Sequence, residues 1–202
     1  MAMAEPLEFY FDFSSPYAYL ASEQIDALAA RYGRQVKWRP ILLGVVFKAT
    51  GGAPLTQIPL KGDYSRRDFD RSARFLGLPF RFPSKFPLPT QAAARAYYWL
   101  HQQDCARARA FAHGVFRALF VHDRDISDMA VVTELAVQAG ADPAALAAAI
   151  RSEEMKTRLR QECDAAIARG VFGAPFIFID GESFWGADRL PQIERWLAEG
   201  GF

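Results

Sequence analysis

The two ends of this chain read as one α/β layer and the stretch between them as helix, and nothing else in the sequence limits the fold so tightly. Leu7, Phe9, Phe11 and Phe13 alternate with Glu8, Tyr10 and Asp12, the period of two expected where successive side chains leave opposite faces of a strand. The spacing predicts a strand over Leu7–Phe13, then a helix over Pro16–Tyr32 with Leu20, Ala21, Leu28, Ala29 and Tyr32 on one face and Gly33 as its stop. Val36–Leu42 follows as a second strand, where Pro40 favours an edge position or the strand end because it has no N–H to give a ladder. Strand, helix and strand in this order predict a parallel pair.

Strand patterning returns after Gly170. Phe176–Ile179 is apolar on both faces, as a central strand is, and Asp180-Gly181 predicts a hairpin turn into Ser183-Phe184-Trp185. Asp188 then reads as the cap of a last helix carrying Ile193, Trp196 and Leu197. In the middle, a Gly/Pro-rich loop over 44–61 gives way to mostly helical sequence over 63–169. Helix starts are marked there by Thr90, Ser127-Asp128, Asp142-Pro143 and Ser152, and an irregular loop by Phe82–Pro89. The expected organisation is a discontinuous α/β domain, 1–62 with 170–202, holding a helical insertion over 63–169.

With 202 residues, 51% of them hydrophobic, the chain can bury a full core. Twenty-four Lys and Arg against 23 Asp and Glu leave a net charge of +1, which draws it neither to nucleic acid nor to an anionic membrane surface. The first basic residue is Arg31 and no apolar run approaches the length of a membrane span, so a cytoplasmic protein is expected. Cys105 and Cys163 form no CxxC and no zinc spacing; both read as buried reduced thiols, and His101, His113 and His122 as dispersed surface or packing residues. No metal site is expected.

Two features carry chemistry. Ser15-Pro16 is a common way to begin a helix and needs no function, yet unpaired N–H groups and a serine hydroxyl at a helix start also suit an anion such as a thiolate. Pro175 leads the last strand pair. A cis Ala174–Pro175 bond facing the first helix would leave the Ala174 main chain free to pair with an extended peptide. Asp188 reads equally as a plain cap or as the partner of an α-ammonium group.

Phe11-Asp12-Phe13-Ser14-Ser15-Pro16-Tyr17, Val171-Phe172-Gly173-Ala174-Pro175 and Trp185-Gly186-Ala187-Asp188-Arg189 together resemble the 2-hydroxychromene-2-carboxylate isomerases, relatives of kappa-class glutathione transferases. They are more distantly similar to DsbA-like thiol oxidoreductases, whose CxxC this chain lacks, with Ser15 and Ala18 in its place. The resemblance runs over nearly the whole chain and implies a thioredoxin-like fold with a large all-helical insertion. It also implies glutathione as cofactor, with Ser15 at the sulfur, Ala174 and Pro175 at the peptide backbone, and Trp185, Gly186, Ala187 and Asp188 at the γ-glutamyl end. Lys48, Lys61 and Phe86 fall where relatives line the substrate pocket. Lys48 and Lys61 are by default surface charges. Phe47, Phe82, Phe86 and Trp185 are by default core or loop anchors that could also wall a flat ring. Gly52 stands where relatives commonly carry asparagine, a departure that touches the substrate more than the cofactor.

The implied activity is conversion of 2-hydroxychromene-2-carboxylate to trans-o-hydroxybenzylidenepyruvate in aromatic catabolism, with a homodimer expected and a small aromatic carboxylate as the partner molecule. Two rivals remain open: a kappa-like glutathione transferase or peroxidase, which consumes the thiol, and a redox-dead thioredoxin-like module that binds a peptide.

Overall fold

Two strands at the centre of one sheet place both chemical motifs side by side. β1 (Leu7–Phe11) pairs in parallel with β2 (Val36–Pro40) and antiparallel with β3 (Phe176–Ile179), which pairs antiparallel with β4 (Glu182–Trp185), in the order β2-β1-β3-β4. The computed structural model describes residues 5–202, so the first four residues of the expected outer domain lie outside the described residues. The β3–β4 turn has Asp180 at φ 52° and Gly181 at φ 89°, the pair of positive values that lets a two-residue hairpin follow the strand twist.

The strands are shorter and the helices more broken than the sequence predicts. β1 stops at Phe11 because Asp12 turns the chain: its carbonyl accepts the Ser15 N–H at 2.9 Å. The expected helix over Pro16–Tyr32 is two, α1 (Pro16–Ser22) and α2 (Ile25–Arg31). The break falls where the Ser22 hydroxyl bonds back to the Tyr19 carbonyl at 2.7 Å and the Gln24 side chain to the Leu20 carbonyl at 2.9 Å, side-chain bonds of the kind that compete with a helix.

The loop expected over 44–61 contains α3 (Leu43–Thr50), which ends at Gly51 with φ 75°, and a short 3-10 turn at Leu55–Gln57. α4 (Lys61–Leu76) then runs along the front of the molecule, followed by the irregular stretch to Pro89, whose Phe86–Pro87 bond is cis. The remaining helices of the middle are α5 (Gln91–Gln103), α6 (Cys105–Phe120), α7 (Met129–Gln138), α8 (Pro143–Arg151) and α9 (Glu153–Ala168).

Asp128, Asp142 and Ser152 cap α7, α8 and α9 with side-chain bonds to backbone N–H groups at 2.8, 2.7 and 3.2 Å. Thr90 precedes α5 as expected but does not cap it; its hydroxyl donates to Asp12 instead. The last helix, α10 (Leu190–Glu199), is likewise not capped by Asp188, which sits in the 3-10 turn Ala187–Arg189 with an exposed side chain 3.1 Å from Arg189.

One apolar core joins sheet and helices. The Phe11 ring packs against Trp38 at 5.4 Å, Phe116 at 5.4 Å and Tyr97 at 6.1 Å. The edge strand β2 leaves outward carbonyls that would otherwise template aggregation. Arg109 donates to the Val36 carbonyl at 2.8 Å, Tyr97 to that of Trp38 at 3.2 Å and Tyr98 to that of Pro40 at 2.8 Å. Of the two cysteines, Cys163 is buried and takes the Leu42 N–H on its sulfur at 3.4 Å. Cys105 is exposed, against the expectation, because it opens α6 at the surface with His101 Nε2 3.5 Å away. No helix among the described residues is long and apolar enough to cross a membrane.

Candidate active site

The start of α1 meets the Ala174–Pro175 bond at the floor of a cleft of about 1760 Å³. That bond is cis. The Ser15 hydroxyl donates to the Ala174 carbonyl at 3.0 Å and accepts the Ala18 N–H at 3.2 Å. The hydroxyl is therefore an N-cap and also a proton donor resting on the main chain opposite. Ser15 is 5% exposed, so an atom reaching it arrives through the cleft and not from bulk water.

The loop before the cis bond is held by an aromatic lid. Phe172 and Trp185 meet edge to face at 4.9 Å, and the indole lies so close over Gly173 that a Cβ there would stand 2.5 Å from its Nε1. Gly186 donates its N–H to the Pro175 carbonyl at 3.0 Å and takes φ 112°, a conformation that suits glycine. The turn Ala187–Arg189 thereby presents Asp188 to the cleft.

Below the serines, Asp12 is 3% exposed and gathers four donors. Its Oδ1 accepts the Ser14 N–H at 2.8 Å, the Ser14 hydroxyl at 2.9 Å and the Thr90 hydroxyl at 2.9 Å, and its Oδ2 accepts the Leu43 N–H at 2.7 Å. Burial pushes this carboxyl above the usual range, while bonds from Ser14, Leu43 and Thr90 pull it back. On the far wall the Tyr17 hydroxyl donates to Asp68 on α4 at 2.5 Å, and Asp68 also pairs with Arg71. Burial and the Asp68 charge raise the Tyr17 phenol, which stays neutral and bound to Asp68.

Ser15, Phe86, Ala174, Trp185, Gly186, Ala187 and Asp188 all line the cleft, as does Phe47. Pro175 lies just behind the wall, buried, and Phe82 also stands outside the lining. Lys48 and Lys61 are exposed and do not contribute to the wall. Asp12, Tyr17 and Asp68 line it without having been singled out. For Asp12 the sequence holds one signal, an acid placed between Phe11 and Phe13 just before the Ser14-Ser15 turn. Among the described residues no group of His, Cys, Asp and Glu is arranged to hold a metal ion.

The chain is similar over nearly its whole length to known proteins. The model of the DSBA-like thioredoxin domain matches residues 6–198. A 2-hydroxychromene-2-carboxylate isomerase of Sphingobium xenophagum is 32% identical over 98% of this chain and 100% of its own. The glutathione S-transferase kappa 2 of Caenorhabditis elegans is 30% identical over 96% of this chain and 92% of its own. A solved 2-hydroxychromene-2-carboxylate isomerase superposes with a TM-score of 0.84 at 31% identity, covering 95% of this chain and 94% of that one.

Proposed function

We propose that this chain, which belongs to the DsbA-like thioredoxin-domain family and within it to the 2-hydroxychromene-2-carboxylate isomerases, is a glutathione-dependent isomerase that converts 2-hydroxychromene-2-carboxylate to trans-o-hydroxybenzylidenepyruvate. The observation that carries the reading is the 3.0 Å bond from the Ser15 hydroxyl to the Ala174 carbonyl at the cleft floor. It fits a small thiol peptide in both directions. A peptide laid along residues 173–174 would offer its own N–H to the Ala174 carbonyl, and Ser15 would then turn its proton onto the sulfur. Glutathione would supply a thiolate that adds to the conjugated chain and leaves again after rotation.

The protein's own groups do the rest. Ser15 steadies the anion by a charge-assisted hydrogen bond, the Ala174 main chain fixes the peptide as an added strand would, and exposed Asp188 meets an ammonium group. The apolar walls exclude water and hold the ring beside the sulfur. A homodimer in the cytoplasm and a role in aromatic catabolism complete the reading. Phe75, which lines the cleft and is 87% exposed, supports a second copy as a cover.

Calorimetric titration with reduced glutathione and with S-methylglutathione, for wild type and Ser15→Ala, tests the thiolate site. Tight binding of the free thiol that weakens on methylation or loss of Ser15 is expected, and no binding of either ligand would sink the proposal. Ser15→Ala should keep its fold, since a cap is worth about 1 kcal/mol, while losing most of kcat. The 30% identity to a kappa-class transferase keeps a second reading open; thiol consumed in step with product would favour it.

A further inference from the structure

The cleft is divided by charge. Its charged lining residues are Asp12, Arg31, Asp68, Asp188, Arg189 and Glu194. Arg31 pairs with Glu194 at 3.0 Å and Arg189 with Asp188 at 3.1 Å, and both pairs stand at the end formed by α2, the 187–189 turn and α10. Another end of the wall is built by the segments 42–58 and 86–89. Every residue that these two segments give to the wall is uncharged, and Thr56 is their one polar side chain. Lys48 lies on the same helix as Phe47 but faces solvent and lines no part of the cleft. The charged group of the wall bonded to this end is itself an acid: Asp12 takes the N–H of Leu43, the first residue of α3, at 2.7 Å.

The Phe47–Gly52 contact makes this end more apolar still. A Cβ at residue 52 would stand 2.7 Å from Phe47 Cδ1, so the ring edge fills the place that a side chain at 52 would need. A carboxylate moved into such surroundings loses its water and gains no cationic partner, at a cost that apolar contact does not return. An aryl ring with an uncharged ketone loses far less and gains the whole apolar wall.

We propose that this uncharged end takes the acceptor and selects for the ring and the enone and not for the carboxylate, so that the enzyme also isomerises aryl enones that carry no charge. This rests on the glutathione-dependent reading above. The test substrate is 2-hydroxy-2-methylchromene, in which methyl replaces the carboxylate; it opens to the cis enone and would yield trans-4-(2-hydroxyphenyl)but-3-en-2-one. A C–S bond forms at the carbon β to the ketone as the π pair moves onto the carbonyl oxygen. The resulting single bond turns, and the C–S bond breaks as the double bond returns. No atom or electron is gained or lost, so no further reactant is needed.

The experiment compares kcat/KM for this compound and for 2-hydroxychromene-2-carboxylate, each divided by its uncatalysed rate with the same thiol. A ratio within about tenfold of unity, or in favour of the methyl compound, is expected; tenfold corresponds to about 1.4 kcal/mol. Turnover of the carboxylate alone, or a preference for it beyond tenfold, overturns the inference and leaves the isomerase reading standing. Turnover of neither defeats that reading, and a binding measurement then decides the inference by itself. Calorimetry should find 4-phenylbutan-2-one bound at least as tightly as 2-oxo-4-phenylbutanoate, and tighter binding of the acid would overturn it. Phe47→Lys puts a cation into this end and should shift both preferences toward the carboxylate by tenfold or more; unchanged ratios would place the acceptor elsewhere and also overturn the assignment.

Discussion

Asp12 does for three segments what a cap does for one. Its carboxyl receives the Ser14–Ser15 turn, the first N–H of α3 and the hydroxyl before α5, so the serine that would face the sulfur and the apolar end of the cleft share one anchor. Asp12→Asn keeps the shape but turns one acceptor into a donor, which must then face N–H and O–H groups without water, a mismatch that costs about 2 kcal/mol. The expected outcome is a urea midpoint lowered accordingly, with kcat falling more than the thiol's KM rises, because placement suffers before binding does. A midpoint equal to wild type would mean that the four donors find other partners. In the sequence the acid fell into the strand's alternation with Glu8 and Tyr10, and nothing there marked it as an anchor. Its three destinations were not legible either, since Leu43 and Thr90 lie 31 and 78 positions away and carry no local mark of where they bond.

Several elements with local signals formed where the sequence put them, although Thr90 and Asp188 cap no helix. The Asp180-Gly181 turn and the caps Asp128, Asp142 and Ser152 stand on their own residues. The Gly/Pro-rich stretch after β2 read as loop because the cap of α3 comes from Asp12 across the site, and the first helix read as unbroken because the side-chain bonds that end it are invisible to spacing. α4, which the sequence did place in its helical stretch, takes distant contacts as well. Its Phe69 ring lies against Tyr17 at 4.8 Å and Phe82 at 6.1 Å, and Asp68 takes the Tyr17 hydroxyl. Tyr17→Phe keeps the ring contact and removes the bond, which at this half-buried place contributes about 1 kcal/mol. Hydrogen exchange over α4 should then quicken severalfold while β1 stays unchanged; equal protection in α4 would show that the aromatic contact alone holds the helix.

Whole-molecule integrity rests on contacts between the sheet layer and the helices inserted between its halves. The alternation of β1 and the apolar run of β3 announced the sheet layer from both chain ends, but no pattern announced which side chains would cover it, because Tyr97, Tyr98 and Arg109 meet β2 only after the chain has turned back. Glu23 is a second such tie. It stands at the end of α1 and receives Arg117 of α6 through two bonds, at 3.0 and 2.6 Å, with His113 Nδ1 3.5 Å away. Burial opposes its ionisation, yet His113 and Arg117 outweigh burial and draw the carboxyl from 4.5 down to about 2. A folded state that holds this proton less tightly than the unfolded chain gains stability above the unfolded value and loses it as pH falls toward the folded one. The contribution is therefore complete above about 4.5 and disappears on acidification toward about 2. Glu23→Gln removes the charge and should cost about 2 kcal/mol at neutral pH, less than the full shift implies because Arg117 is half exposed. Thermal unfolding of both proteins across that window should show the gap between them closing as pH falls, and a gap that stays constant would mean that Glu23 acts through packing and not through its charge.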